Sequence, residues 1–442
     1  MSSHRIYFRL PPYLQNLSIT LYSYWIYSKK YPQLPEPSLI EDLGLPGREY
    51  LDKKFQKFIR NAISNVPFYR DVIRNQNIRA EEITLYNYKK FFPIVTKEDV
   101  RCNPELFYSE DSSEKITWLF TSGTSGSPLR IKSSLTARKT NYAFYQEILR
   151  RYGVELFSES ATFAGRVLFS KVVNNCYWRR DSYLKTTYFS TYHMSNSSLR
   201  FYIEELEKRK PVLIDSYPSS LSILANYIID NQIDLSFTPR LLLTSSESLT
   251  DAAREAISRA FHGAPLIDHY GCTEMAVMAY SDGNCYRFPP QYSLVEFIPL
   301  EDGLSKIICT GLVNDAMPLI RYDIGDVCYH GVSDKDFNQV CEKIVGREDD
   351  VIVTPAGKKI GRMDPVFKGI SGIDKAQIVQ EAINKLRINI VLQSNLKHLF
   401  NEEQLKKNII ERVGDEMLVE VDVVNNIPLT KSGKFRAVVS NI

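Results

Sequence analysis

No Cys-x-x-Cys pair occurs anywhere in the 442 residues, and the seven cysteines (102, 176, 272, 285, 309, 328 and 341) are odd in number and scattered. That pattern excludes a disulfide framework and the common structural zinc sites, and it points to reduced thiols in a cytoplasmic compartment. Runs of like charge are missing too. The 55 basic and 52 acidic residues are interspersed and leave a net charge of +3, so no nucleic-acid-binding face is expected. No glycine-rich loop ends in Gly-Lys-Ser/Thr, which excludes the phosphate loop of kinases and GTPases. Internal repeats, low-complexity linkers and a signal-peptide layout are all absent from the sequence. The nearest thing to a membrane segment is residues 12–28, where Leu14, Leu17, Leu21, Tyr24 and Trp25 recur at helical spacing. Gln15, Asn16 and several hydroxyls interrupt it, and it is too short and polar to span a bilayer, so no stable membrane insertion is expected. Docking of this helix on the protein's own core is the expectation, with membrane-surface contact the alternative.

The length exceeds one compact core, and a composition of 44% hydrophobic and 24% charged residues is that of an ordinary globular protein, so two or three domains are expected. From 116 to 270 strand-like and helix-like segments alternate. Strands are read at Ile116–Phe120, 212–214, 241–243 and 265–268, with helices over 135–152, 221–229 and 251–261. This rhythm predicts an α/β fold, a large N-terminal domain with parallel-rich sheets covered by helices plus a β-rich part after about 285. A compact α+β tail follows, with a hairpin over 351–353 and 358–360, a helix over Glu402–Val413 and a strand over 418–424. The boundary is placed at 346–350, giving a large domain over 1–346 and a small mobile one over 347–442.

Six segments carry chemistry. Thr121-Ser122-Gly123-Thr124-Ser125-Gly126-Ser127-Pro128 follows a strand and combines two glycines with five hydroxyls, a composition able to wrap backbone N–H groups around phosphate oxygens. Thr244-Ser245-Ser246-Glu247-Ser248-Leu249 and Tyr270-Gly271-Cys272-Thr273-Glu274 each lie where a strand ends, the place where ligands bind in parallel sheets. Pro318 to Asp326 ends in Gly325-Asp326, Gly346-Arg347-Glu348-Asp349-Asp350 sits on the boundary, and Pro428-Leu429-Thr430-Lys431-Ser432-Gly433-Lys434-Phe435-Arg436 lies near the end. Singly, each has a plain structural explanation as a turn, a strand terminus or a solvated tail. Their order is what distinguishes them.

In that order they resemble the adenylate-forming superfamily, which includes acyl-CoA synthetases, peptide-synthetase adenylation domains and firefly luciferase. Val66-Pro67-Phe68-Tyr69-Arg70, Pro93-Ile94-Val95-Thr96-Lys97-Glu98-Asp99, Tyr217-Pro218-Ser219-Ser220-Leu221 and Pro318–Asp326 narrow the resemblance. They are similar to the phenylacetate–CoA ligase branch, particularly the adenylating proteins of capsule polysaccharide biosynthesis. The resemblance covers nearly the whole chain and implies ATP and Mg²⁺ as cofactors. It assigns Thr121, Ser122, Gly123, Thr124, Ser125 and Gly126 to the β- and γ-phosphates. Ser246 and Glu247 would line the adenine pocket, with Asp268 near the exocyclic amine and Tyr270 and Gly271 at the base. Thr273 would touch the α-phosphate, Glu274 hold Mg²⁺, and Asp326 bind the ribose with Arg347 nearby. Asp349 matches a hinge and Lys434 the catalytic lysine carried by the small domain.

Three readings follow. The first is a ligase that activates a small carboxylic acid as its adenylate and passes the acyl group to the thiol of coenzyme A or a carrier protein. In the second, a sugar amine or hydroxyl in surface-polysaccharide assembly is the acceptor. In the third the chain is a non-catalytic nucleotide- or acyl-binding paralogue. Departures from the family pattern are also present. Ser127 and Leu129 stand where many members carry a lysine nearby, leaving Arg130 or Lys132 to compensate. Cys272 is read as a packing residue, no zinc is expected, and the acyl pocket is placed within 160–275, with His193, Gly165, Arg166 and Arg179 as candidate linings.

Overall fold

The computed structural model describes residues 6–27, 47–111, 114–121, 129–164, 166, 168–246, 249, 251–281, 283, 285–300, 303–347, 352–355, 359–360, 363–367, 370, 372–392, 397–427 and 438–442. Along the chain come helices α1 (Pro12–Trp25), α2 (Arg48–Asn65) and α3 (Pro67–Arg74), strand β1 (Val95–Thr96) and helix α4 (Lys97–Cys102). Next are β2 (Ile116–Phe120), β3 (Arg130–Ser134), α5 (Leu135–Arg150), β4 (Ser160–Phe163), β5 (Trp178–Asp181) and β6 (Thr186–Phe189). Helix α6 (Leu199–Arg209), β7 (Leu213–Ser216), α7 (Pro218–Asp230), β8 (Leu241–Ser245), α8 (Asp251–Ala260) and β9 (Leu266–Gly271) complete the α/β part.

In the main sheet β6, β4, β7, β8 and β9 are parallel neighbours in that order. Alternation along each strand decides which helix covers which face. Leu213, Leu241, Leu243 and Ile267 pack on Phe144, Ile148 and Leu149 of α5. Their neighbours Ala161, Ile214 and Leu242 pack on the opposite side, against Leu206, Leu224, Ile228 and Ile257 of α6, α7 and α8. Apolar residues at successive positions of 241–243 are therefore buried on both faces, as a helix-covered parallel strand requires. From β9 to β17 the strands pair antiparallel with one another and form the β-rich part: β10 (Met278–Ser281) and β11 (Tyr286–Phe288) extend the main sheet. A second sheet runs β1, β14 (Tyr322–Tyr329), β13 (Leu304–Gly311), β12 (Ser293–Pro299). Strands β15 (Val332–Ser333) and β16 (Gln339–Cys341) edge the main sheet, and β17 (Lys343–Arg347) pairs with β14.

Beyond Arg347 the hairpin of β18 (Ile352–Val353) and β19 (Lys359–Ile360) precedes β20 (Ile373–Ala382), β21 (Lys385–Leu392), helix α9 (Glu402–Val413), β22 (Leu418–Val423) and β23 (Val438–Ser440). The sheet order is β22-β21-β20-β23. Among the described residues, its core, including Ile378, Leu386, Ile388, Leu405 and Ile409, draws on residues from 352 onward.

Two expectations are corrected. The strand before the Gly/Ser loop does not join the parallel sheet: β2 pairs antiparallel with β3 in a separate two-stranded ribbon. Residues 130–134 alternate too weakly for that partner strand to be read from sequence. Helix α1 does dock on the protein, but by its polar face. Gln15 is buried and accepts from Arg179 Nε at 2.5 Å, Asn16 Oδ1 accepts from the Arg180 N–H at 2.9 Å, and Thr20 Oγ1 accepts from the Ser182 N–H at 3.0 Å. The edge strand β5 supplies free backbone donors, and hydrogen bonds to them outweigh the packing of Leu17, Leu21 and Trp25, which stay exposed. Among the described residues no helix is long and apolar enough to cross a membrane.

Candidate functional site

The sequence Thr96-Lys97-Glu98-Asp99 is a capping box. Asp99 Oδ2 accepts from the Thr96 N–H at 2.8 Å, and Thr96 Oγ1 accepts from the Asp99 N–H at 3.2 Å. The box starts α4 directly after β1, which lies parallel to β14 with Val95 opposite Tyr322 and Thr96 opposite Asp323. Lys97 is thereby delivered to Glu274, with Nζ 3.2 Å from Oε1. Glu274 is 3% exposed and also accepts from the Tyr322 hydroxyl at 3.2 Å. Met275, next in the chain, has φ +55, a left-handed turn that carries the backbone sharply away after the carboxylate.

One turn earlier, the Tyr270 hydroxyl donates to Asp326 Oδ2 at 2.7 Å. Burial first, and the Asp326 charge second, push that phenol well above its usual range, so it stays a donor. Gly325 has φ +78 and its N–H reaches Asp323 Oδ1 at 2.8 Å, a tight turn within β14 that sets up Asp326. Asp326 is opposite Arg347 in the β14–β17 register. Three segments far apart in sequence, 93–99, 270–274 and 318–326, therefore meet at the carboxyl end of β9.

Asp268 lies deeper. Its Oδ1 accepts from the Thr244 hydroxyl at 2.6 Å and its Oδ2 from the Tyr286 hydroxyl at 2.5 Å, tying β8, β9 and β11 together. Ser246 is exposed with φ +70, a conformation uncommon for a residue with a Cβ and frequent at ligand-contacting turns. Gly271 is exposed, and Thr273 lies between Tyr270 and Glu274 with partial exposure. Thr121 closes the neck of the hairpin: its hydroxyl accepts from the Leu129 N–H at 2.9 Å, and its own N–H reaches the Leu129 carbonyl at 3.1 Å. Ser122 to Gly126, Glu247, Asp349 and Lys434 lie outside the described residues.

Neither basic residue after the loop is idle. The Arg130 guanidinium lies 3.8 Å over the Trp118 ring, and Lys132 Nζ donates to the Ser109 carbonyl at 2.6 Å. Burial and then the Glu274 charge push the Cys272 thiol up, so it packs as a protonated group. His193 bonds Ser190 Oγ at 2.7 Å within an aromatic cluster with Phe169 and Tyr177. Arg179 is buried against α1 rather than in a pocket, with its guanidinium 4.4 Å over Phe169.

The sequence does not announce the part played by two residues of this region. Lys97 sits inside the Pro93–Asp99 motif, but its partner lies far along the chain, and only the capping box signals its fixed position. His269 alternates with Tyr270 on β9 and so points to the opposite face of the sheet, toward α5. Its ring meets the edge of Tyr145 at 5.8 Å, and burial pushes its imidazole down to about 4.

Comparison with known proteins agrees with this geometry. Residues 352–441 match the CapK C-terminal domain family. Protein CapK of Staphylococcus aureus is 25% identical over 405 residues, covering 89% of each chain. Phenylacetate-coenzyme A ligase of Pseudomonas putida is 21% identical over 408 residues, 88% of this chain and 91% of that one. Among solved structures, 2-hydroxyisobutyryl-CoA ligase with 2-HIB-AMP and CoA in its thioesterification state aligns with a TM-score of 0.54 at 18% identity, over 90% of this chain and 91% of that one. The same ligase in its postadenylation state aligns at 0.53 and 16% identity over 89% of each chain. These last two are likenesses of fold. By sequence and fold together, the chain resembles the adenylate-forming enzymes, above all their phenylacetate–CoA ligase-like branch, and its residues 352–441 match the CapK C-terminal domain.

Proposed function

We propose that the chain is an ATP-dependent, AMP-forming ligase that joins a carboxylic acid to AMP with release of pyrophosphate and then transfers the acyl group to a thiol. The observation that carries this reading is the convergence of Tyr270–Asp326 and Lys97–Glu274–Tyr322 at the end of β9. A phenol locked to a carboxylate offers a flat face for a base beside an acceptor for ribose hydroxyls. A buried carboxylate with an ammonium beside it offers fixed charge where phosphates would lie. The relatives named as CoA ligases support a thiol acceptor, coenzyme A or a carrier.

Attack of a carboxylate on the α-phosphorus meets a strongly negative centre, so catalysis rests on positioning and preorganised charge. Thr121 and the loop to Gly126 would cradle the outer phosphates, Ser246, Glu247, Asp268, Tyr270 and Gly271 the base, Thr273 the α-phosphate, and Asp326 with Arg347 the ribose. Glu274 suits Mg²⁺: it is a hard oxygen donor whose two described contacts both fall on Oε1. When bound, that ion supplies positive charge against the phosphates. The large part, 1–346, would hold ATP and acid, and the small part, 347–442, would swing about Asp349 to deliver Lys434 to the adenylate-forming site. A self-contained core beyond Ile352 supports this division.

The test is carboxylate-dependent ATP–pyrophosphate exchange, with Lys434→Ala beside the wild type. Exchange that falls about 100- to 1000-fold in the variant, with an unchanged melting curve, is the expected outcome. Exchange at the wild-type level would overturn the role of Lys434. Trapping the adenylate with a thiol or an amine then separates a CoA or carrier acceptor from a sugar amine. A nucleotide-binding paralogue without activity would bind ATP and give no exchange with any acid; it has no use for Glu274, Asp326 and Lys434 together.

A further inference from the structure

On the α5 face of the main sheet, alternation brings a set of polar heads to one place. Asp215 follows Leu213 on β7, and His269 follows Ile267 on β9, two residues further along the face that packs against α5. Tyr188, the next-to-last residue of β6, points to the same face, and Tyr142 and Tyr145 descend from α5. The Tyr145 hydroxyl donates to Asp215 Oδ2 at 3.4 Å, its ring lies 6.1 Å from that of Tyr142, and its edge meets His269. The Arg166 guanidinium stands 5.2 Å over the Tyr188 ring and attracts the Asp215 carboxylate. Arg166 is exposed, while the other five keep only partial solvent access, so the space among their polar heads has Arg166 at its solvent edge.

Within this space His269 Nε2 is buried and has no hydrogen-bond partner among the described residues. A buried ring nitrogen without a partner in an otherwise bonded site marks a position for a ligand atom or a water. The imidazole is neutral at physiological pH, because burial holds it at about 4, so Nε2 offers either one donor or one acceptor. The Asp215 carboxyl is pushed up to about 6 by burial, and it gains most from a donor brought in by a ligand. An alkyl or aryl tail would cover these groups and satisfy none of them.

We propose that this space is the acyl pocket, and that it selects a short carboxylic acid whose tail carries a hydroxyl or amine donor, with Asp215 as its acceptor and His269 as its second contact. The inference rests on the adenylation reading for one point only, the direction of the reacting carboxyl. His269 and Tyr270 leave β9 on opposite faces, so a tail beside His269 and a nucleotide beside Tyr270 meet near Thr273.

The test compares sets of three- to six-carbon acids, each unsubstituted parent against its hydroxy and amino derivatives, with phenylacetate as the aryl member, in ATP–pyrophosphate exchange. At least one hydroxy or amino acid is expected to exceed its parent and phenylacetate about 100-fold in kcat/KM, and Asp215→Leu is expected to bring that ratio near unity. Asp215→Asn keeps the size and an acceptor oxygen; it retains hydroxy acids and loses amino acids. If Asp215→Leu does not fold, Asp215→Ala is read in its place. A wild type that prefers the parent or phenylacetate, an unchanged ratio in the Leu or Ala variant, or preferred amino acids that Asp215→Asn still retains, overturns the proposal. If no acid supports exchange, the adenylation reading fails while calorimetric binding of the same acids still scores the pocket. A ranking that favours donor-bearing acids there upholds the proposal, and any other ranking, or no binding, overturns it.

Discussion

At the scale of single residues, charge buried without water is what makes the site sensitive. Lys97→Met would strand the Glu274 carboxylate, 3% exposed, with the Tyr322 hydroxyl as its remaining hydrogen-bond partner among the described residues. Removing one partner of a buried pair typically costs about 3 kcal/mol or more, so a clear drop in the urea midpoint is expected. Lys97→Arg, which keeps the charge, should lose much less. Equal midpoints for Lys97→Met and wild type would show that the pair is not formed. Asp215 and His269 predict opposite responses to pH. From about pH 4 to 6 the folded chain keeps a proton on Asp215 that the unfolded chain releases, so this group makes stability fall as pH rises. From about pH 4 to 6.5 the unfolded chain holds a proton on His269 that the folded chain lacks, so this group makes stability rise with pH. Each slope is at most about 1.4 kcal/mol per pH unit, and in the wild type they largely cancel. Asp215→Asn should uncover the rise, and His269→Gln the fall, in urea midpoints measured across that window. Slopes of the same sign in both variants would contradict the assignment.

At the scale of elements, helix α1 separates polarity from burial. Its apolar stripe is visible in the sequence and suggests a face turned inward, yet the edge strand β5 holds it through Gln15, Asn16 and Thr20. Gln15→Ala should destabilise by about 1–3 kcal/mol because the buried Arg179 loses an acceptor. Leu17→Ser, at a 51% exposed position, should stay within about 0.5 kcal/mol. Chemical denaturation of both variants checks the pair, and the reverse order would mean that the apolar face is the one buried. Helix α9 shows the opposite case, legible to the residue. Leu405, Ile409 and Val413 recur at helical spacing and are buried, and Asn401 caps the start by accepting from the Gln404 N–H at 2.9 Å. Strands β20 and β21, the long centre of the same sheet, escaped notice. Gln377 and Gln380 are buried within β20, and Gln380 Oε1 accepts from the Val353 N–H, tying β20 to β18. Polar residues inside β20 hide its alternation until the partner is known, whereas Leu386, Ile388 and Ile390 of β21 do alternate in the sequence.

At the scale of the whole molecule, the segment beyond Arg347 carries its own core, with Ile352, Ile378, Leu386, Ile388, Leu405 and Val438 all packed among themselves. A domain with its own core is able to fold alone. Residues 347–442 expressed by themselves should therefore melt cooperatively, followed by circular dichroism. A featureless melt would mean that this core depends on the rest of the chain. The reaction proposed here needs both parts, because Glu274 and Lys434 belong to different ones.

By itself the sequence determined whatever depends on near neighbours. Apolar periodicity located β7, β8, β9 and the helices between them, and the order of polar motifs after those strands carried the resemblance to adenylate-forming enzymes. Only the tertiary structure decided which distant side chains meet. A capping box cannot announce that Lys97 faces Glu274, and a Tyr-Gly motif cannot announce that the histidine before it faces Tyr145 on the other side of the sheet. Those pairings follow from strand register, β1 on β14 and β7 through β9, and register is a property of chains already packed together.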